Sequence, residues 1–385
     1  MKIRHNKSYS CRGVTIIELM VALTLSVILL GGVYTVYISS KTSYKRQEGL
    51  SRIQESARFA MDFLAQDVRI AGLVGCDSKS GEIAVNSIAI IPNGTDPDVL
   101  TFGGGSDGIE GFEEDSISTA ELDKIGLTAG DVIADTDIIQ IKALSNADCQ
   151  VVEKDNGANP FTAEVKVVTS CQVQQDEIVL ISDCKNADLF GVSNVRGGNA
   201  RNGDAVFTLA HGANNNTDTK LSNVYGGDAE VLRFENIIYF IGTGASGEPA
   251  LMRRRLVANG LVTEEIVDGV EDMQVQYGVD TNNDAVANRY VDADDALING
   301  DFTRVMSVRI ALLMRTTSVA GNVYGDPTSG EVTNTAQPFI DLPFLLSDTD
   351  TSLDIAGQNI DLTTPNDGRL RRPFVSVIKI RNRLF

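Results

Sequence analysis

Asp280-Thr281-Asn282-Asn283-Asp284 is the stretch of this chain whose residue types and spacing come nearest to a ligand set. Oxygen-bearing side chains on alternating positions converge on one hard cation, so Asp280, Asn282 and Asp284 define a candidate calcium loop. The pattern then departs from the full motif, with Ala285 in place of the glycine of the sharp turn and Val291 in place of the closing bidentate glutamate. A solvated polar turn is the simpler reading, and calcium there would stiffen its surroundings. Catalytic chemistry finds less support. His211 lies in a Gly/Asn loop without a nucleophile-and-base pattern, and the acid pairs Glu113-Glu114 and Asp294-Asp295 read as solvated neighbours in an acidic chain. The Gly103–Gly108 run lacks the lysine of a phosphate cradle. No enzymatic activity is expected.

A different carboxylate asks for an explanation. Glu18 opens the uncharged run LMVALTLSVILLGGVYTVYISS, which extends from Leu19 to Ser40. A helix of that length crosses the roughly 30 Å hydrocarbon layer at about 1.5 Å per residue. Lys2, Arg4, Lys7 and Arg12 precede it with no acid among them, which places the N-terminus in the cytoplasm and the bulk of the chain outside. The run is longer than a signal-peptide core and has no Ala-x-Ala ending. An ionisable group at its start costs up to about 2.5–3.5 kcal/mol unless it finds a cation. Gly31-Gly32 in mid-span permits bending or close helix packing.

The elements that carry these residues follow from periodicity. Leu50, Ile53, Ala57, Ala60, Met61, Leu64 and Val68 recur at steps of three and four, an apolar stripe on a continuing helix. Arg52, Arg58, Asp62, Asp67 and Arg69 are expected on its solvent side, with Gly72 and Gly75 ending it after about 59 residues and roughly 88 Å. Beyond Cys76 the pattern changes to short β-rich runs: Ile83–Ile91, Val99–Phe102, Asp137–Leu144, Ile178–Ser182, Ala205–Leu209, Val231–Gly242, Leu251–Val257, Met273–Tyr277, Val305–Thr316 and Phe374–Ile380. Loops are expected over 103–130, 185–204, 211–227 and 318–370.

The net charge of −19 repels phosphate backbones, which disfavours nucleic-acid binding. Arg253-Arg254-Arg255 reads as a solvated strand face. Arg369, Arg371, Arg372, Lys379, Arg381 and Arg383 form a basic cluster, either a charged guard on an edge strand or a contact for an acidic neighbour. Of five cysteines, Cys11 lies before the span, whereas Cys76, Cys149, Cys171 and Cys184 lie beyond it and suggest two disulfides. Three connectivities are open. Cys171 with Cys184, around the apolar run Ile178–Ile181, is preferred, leaving Cys76 for Cys149.

Arg12-Gly13-Val14-Thr15-Ile16-Ile17-Glu18-Leu19 resembles the class III signal of type IV pilins and pseudopilins. The resemblance implies that a prepilin peptidase cuts after Gly13, that Val14 becomes the methylated N-terminus, and that Glu18 is the fifth-position glutamate of assembly. Val14 departs from the family's usual phenylalanine. Physics points the same way, because a carboxylate neutralises an α-ammonium within a bundle of apolar helices and sets axial register. Asp183–Phe190, Val267–Tyr277, Asn366–Arg372 and Arg381–Arg383 are similar to stretches of PilW-type minor pilins.

Membership implies an α+β, pilin-like lollipop, a long N-terminal helix packed on an antiparallel β-sheet head. Its expected divisions are a cleaved leader (1–13), a membrane-spanning and filament-core helix (14–40), an amphipathic helix on the head (41–75) and an exported β-rich head (76–385). The implied role is a low-abundance subunit that primes type IV pilus assembly near the tip, in twitching motility and adhesion. Its partners would be other minor pilins, the major pilin, the prepilin peptidase and the inner-membrane assembly platform. The implied location is the bacterial inner membrane, with a periplasmic head, and then the pilus. A minor pseudopilin of a type II secretion system shares the leader and helix, and a tip adhesin or calcium-responsive module mounted on a pilin helix is a reading from another class.

Overall fold

The computed structural model describes residues 14–72, 85–91, 100, 108–114, 116–152, 164–200, 205–258, 260–298, 300–317, 352–355, 358–361 and 369–381. Helix α1 runs unbroken over Ile16–Ile70, 55 residues and so about 82 Å long. Ala71 caps it, and Gly72 follows with a φ of 71°, a conformation that glycine adopts without strain. Gly72 donates its N–H to the Lys142 carbonyl at 3.0 Å, and Gly108 lies against it so closely that a Cβ on Gly108 would collide with the Gly72 backbone. The end of the helix is thereby fixed to the head.

The head begins with β1 (Val85–Ser87), β2 (Ile109–Phe112), α2 (Thr119–Lys124), β3 (Ile138–Gln150), β4 (Glu164–Val167), β5 (Ile178–Ser182) and β6 (Ala187–Gly191). There follow β7 (Asn194–Asn199), β8 (Ala205–Ala210), β9 (Glu230–Thr243), β10 (Pro249–Val257), β11 (Gly260–Asp268) and β12 (Val270–Val279). The last strands are β13 (Arg289–Val291), β14 (Val305–Arg315), β15 (Ser352–Ile355), β16 (Gln358–Asp361) and β17 (Arg371–Lys379).

Eight strands form the largest sheet, in the order β1-β6-β5-β9-β10-β11, with β3 on the other edge of β9 and β2 beyond β3. A second sheet has the order β13-β12-β14-β17 and a third the order β4-β8-β7, while β15 and β16 form a hairpin. Every pairing is antiparallel except β1 with β6.

β9 explains its own composition. Ile237, Tyr239 and Ile241 face the core under α1, whereas Ile238 and Phe240 face a second apolar cluster built on α2. A strand buried on both faces reads as a continuous apolar run. The chain passes from the first sheet to the second at Gly269, φ 73°, where a Cβ would stand 2.6 Å from the Arg315 carbonyl oxygen. The expected stripe on α1 is the buried one: Ile53, Ala57, Ala60, Leu64 and Val68 join the core, with Leu50 and Met61 packed at its margin. Burying Ile53, Leu64 and Val68 stabilises the docking by about 1.5–3 kcal/mol each as an upper figure.

Three loop expectations are corrected. Segment 103–130 contains β2 and α2, 185–204 contains β6 and β7, and 318–370 contains the β15–β16 hairpin. Ser118 and Glu121 form a reciprocal capping box that starts α2, a signal present in the sequence. The expected strand at Val99–Phe102 falls almost wholly outside the described residues, as does Gly75.

Candidate functional site

The helix divides into a bare half and a docked half. Thr15 caps its N-terminus, its hydroxyl accepting the Glu18 N–H at 3.3 Å, and Glu18 is exposed in the first turn. From Ile16 to Tyr37 the large apolar side chains, among them Ile16 at 80% and Leu29 at 69%, are exposed. This helix is long and apolar enough to cross a membrane, and none of its most apolar stretch is buried. Three of the span's hydroxyls, on Thr24, Ser26 and Thr35, bond back to carbonyls within the helix. Ser26 donates to the Ala22 carbonyl at 2.7 Å and Thr35 to the Gly32 carbonyl at 2.8 Å. Such a surface can be covered by lipid or by other apolar helices, and Glu18 is its charged group.

The docked half is held by a polar clasp that periodicity misplaced. Asp67, expected toward solvent, is buried. The Tyr239 hydroxyl donates to Asp67 Oδ2 at 2.6 Å, and Arg253 Nη1 lies 3.8 Å from the same oxygen. Burial raises the Asp67 pKa, opposed by the Tyr239 hydrogen bond and the nearby Arg253 charge. Arg253 is not solvated either. Its guanidinium stacks 5.2 Å from the Phe63 ring centre and donates from Nε to Glu264 Oε1 at 2.8 Å. The residue beside a stripe, rather than on it, can be drawn in when the facing sheet supplies its partners.

Arg369 and Arg371 of the C-terminal basic cluster are spent inside the molecule, and Arg383 lies outside the described residues. Arg369 donates to Glu248 Oε1 at 2.7 Å, Arg315 bridges Glu248 at 2.6 Å and Glu271 at 3.0 Å, and the fully buried Arg371 donates to Glu271 Oε1 at 2.9 Å. Arg369 holds the Glu248 carboxylate below its usual pKa. This chain of ion pairs ties the start of β17 to β10, β12 and the end of β14. Arg372 lies over the Phe374 ring, while Lys379 and Arg381 are exposed.

Glu113 is another residue the sequence put in the wrong place. Continuing the β2–β3 register past Phe112 and Ile138 sets Glu113 opposite Asp137, and the two carboxyl groups hydrogen-bond. Asp137 Oδ2 accepts the Val275 N–H at 2.6 Å and Glu113 Oε1 the Ala293 N–H at 2.9 Å. Burial first, and then the Glu113 charge, push the Asp137 pKa up to about 10. The Tyr277 ring fills the space over Gly111 on the same face, its hydroxyl buried with no hydrogen-bond partner among the described residues. The pair joins the first sheet to the second and is closed over by backbone, which gives it a structural part.

Asp280, Asn282 and Asp284 share one turn. The carboxylate of Asp280 accepts the backbone N–H groups of Asn283 at 2.7 Å, Asn282 at 3.0 Å and Ala285 at 2.7 Å. Burial pulls the Asp280 pKa up, and these backbone donors together outweigh it and hold it below its usual value. Asn283 and Ala285 carry φ values of 62° and 61°. Among the described residues no group of three or more His, Cys, Asp and Glu is placed to hold a metal. His211 is buried in the turn after β8, 5.2 Å from the Phe190 ring.

The preferred cysteine pairing is overturned: the disulfide joins Cys149 to Cys171. β3 bulges between Asn146 and Cys149, and the turn before β5 runs beside it, with Gln172 donating its N–H to the Ala147 carbonyl at 2.9 Å. Cys184 lies past the other end of β5, and a strand advancing about 3.3 Å per residue carries it beyond the 7 Å limit for bridging Cys171. Cys184 is also disulfide-bonded, to a partner outside the described residues. Cys76, Gly13 and the leader fall outside them too, whereas Val14 is exposed just ahead of the helix.

Comparison with known families adds two matches. Residues 238–382 match the family model described as type IV pilus-assembly protein W, and residues 9–34 match the prokaryotic N-terminal methylation motif. The first runs from the latter part of β9 through β17, including the Tyr239 and Arg253 that clasp Asp67, and the second spans the bare start of α1. No curated protein and no solved structure matches the chain.

Proposed function

We infer from the two family matches, one over the start of α1 and one over the C-terminal part of the head, that the chain is a type IV pilus minor pilin that co-assembles through α1 to prime the filament near its tip. The observation that carries the reading is the division of one continuous helix, apolar and uncovered from Leu19 to Tyr37 and locked into the head from Ile53 to Ala71. A helix that runs on without a break from the bare half into the docked half couples the position of a helix bundle to the head. On this reading the part played by the chain is structural, that of a filament subunit.

In this reading prepilin peptidase cuts after Gly13 and methylates Val14, and the head is held outside the inner membrane until the subunit is drawn into the filament with other minor pilins and the major pilin. Glu18 then faces the new α-ammonium of a neighbour. Both charges are costly in an apolar bundle, and each lowers the cost of the other, so the contact selects one axial register. Thr15 supports it by fixing the first turn.

Glu18→Ala tests this in cells that make pili. Processing is expected to continue, because the substituted side chain lies beyond the scissile bond, while the variant fails to enter sheared filaments and piliation falls. Wild-type piliation with normal amounts of the Glu18→Ala subunit in filaments would overturn it.

A further inference from the structure

The bare half of α1 gives way to the docked half through a short collar of aromatic and basic residues. Tyr34, Tyr37 and Tyr44 are exposed around the end of the uncharged run, and Lys41, Lys45 and Arg46 are exposed just beyond Ser40. Side chains of these kinds settle at the headgroup layer of a bilayer. That layer is roughly 5–7 Å deep, and Lys45 stands about 7.5 Å up the helix from Ser40. At this foot of the head a cleft of about 520 Å³ opens between α1 and the ends of β11 and β14. Lys45 is on its lowest turn, with Glu48, Arg52, Asp268, Thr316 and Thr317 around it. The volume suits a small ligand or a headgroup.

Charge decides what the cleft can take. The side chains of Lys45, Glu55 and Asp268 make no hydrogen bond or ion pair among the described residues, and the Arg52–Glu48 pair, 3.1 Å apart, is too exposed to be strong. Lys45 and Arg52 attract a phosphate, whereas Glu48, Glu55 and Asp268 repel a ligand of net negative charge. A phosphate that stays must therefore carry its own cation. Residues three apart on a helix have Cβ atoms about 5–6 Å apart, so Lys45 and Glu48 offer neighbouring places for an anion and a cation. The Glu48 carboxylate accepts hydrogen bonds, which a primary ammonium donates and a quaternary one lacks. We propose that this cleft binds the headgroup of a zwitterionic, primary-amine phospholipid, its phosphate on Lys45 and its ammonium on Glu48, while the subunit waits in the membrane. Drawing the subunit into a filament breaks the contact.

The proposal rests on the membrane-anchored stage of the reading above, and its test is separable from it. The processed full chain is held in detergent micelles with equal amounts of phosphatidylethanolamine, phosphatidylcholine and phosphatidylglycerol, and retained lipid is counted by native mass spectrometry. Phosphatidylethanolamine is expected to be retained at least threefold over each of the others. Glu48→Gln should remove that preference, lowering phosphatidylethanolamine about three- to fivefold and leaving phosphatidylcholine unchanged, as an exposed charge contact allows. Lys45→Gln should lower all three lipids, since each carries the phosphate. Both side chains are exposed, so neither change unfolds the head. Equal retention of the three lipids, or a preference that neither substitution moves, would overturn the site. Flotation of the full chain with vesicles of the same lipids reads the anchor by itself. A chain that floats without selecting a lipid loses only the cleft proposal. One that fails to float yet keeps the preference loses the anchored reading, and the headgroup site stands.

Discussion

Replacing Asp137 with Asn should make this protein more stable at neutral pH, although it removes a buried, hydrogen-bonded carboxyl group. Asp137 is 4% exposed and its pKa is pushed up to about 10, so in the folded state it carries a proton at pH 7.5. In the unfolded chain the same group titrates near 3.9 and has lost that proton. At about 1.4 kcal/mol for each unit between 3.9 and 7.5, keeping it neutral costs up to about 5 kcal/mol. Sharing the proton with Glu113 and relaxation around the pair reduce this, and about 1–3 kcal/mol is the gain expected on removing the cost. Asparagine preserves the pattern, its amide donating to Glu113 and its oxygen accepting the Val275 N–H.

The sign follows from linkage. A carboxyl group whose folded pKa is raised contributes fully below its unfolded value, and that contribution is lost as pH climbs toward the folded one. Wild-type stability should therefore decline from about pH 4 upward, and the advantage of Asp137→Asn should vanish near pH 4 and grow toward pH 8. Asp272, raised to about 6 mainly by burial, has the same sign, so the difference between variant and wild type isolates Asp137. Urea unfolding of the full chain in detergent, followed by circular dichroism of the β-rich head at pH 4, 6 and 8, measures it. A variant less stable by the same amount at every pH would refute the shared-proton account.

Tyr239→Phe leaves Asp67 buried with only the more distant Arg253 for company, and should destabilise the helix-to-head docking by about 1–3 kcal/mol, read as faster hydrogen exchange over residues 60–71. Peptide mapping without reduction should recover Cys149 linked to Cys171, and the Cys149→Ser, Cys171→Ser double variant should lose about 2–4 kcal/mol; a Cys171–Cys184 peptide would contradict the fold around the β3 bulge.

Much of this architecture is legible in the chain. The docked stripe on α1 is a one-dimensional pattern with a fixed period, and the strand positions at Ile178–Ser182 and Val305–Arg315 follow from their apolar runs. Residues whose place depends on two segments meeting are harder to read. Asp67 looks solvated until Tyr239 and Arg253 arrive from β9 and β10, and Glu113 looks like one of a surface acid pair until the β2–β3 register sets it against Asp137. Arg369 and Arg371 look like a binding patch until Glu248 and Glu271 close on them. The cysteine pairing failed for the same reason, since a bulge rather than sequence proximity brings Cys149 to Cys171. Glu18, by contrast, is conspicuous in sequence because its cost arises within its own helix.

The intact mass of this subunit recovered from sheared filaments tests the central claim most directly. The co-assembly account predicts a single species that begins at Val14, carries one added methyl group, and retains its disulfides. A filament-borne species that still holds residues 1–13, or the absence of the subunit from filaments alongside an unprocessed membrane-bound form, would contradict it.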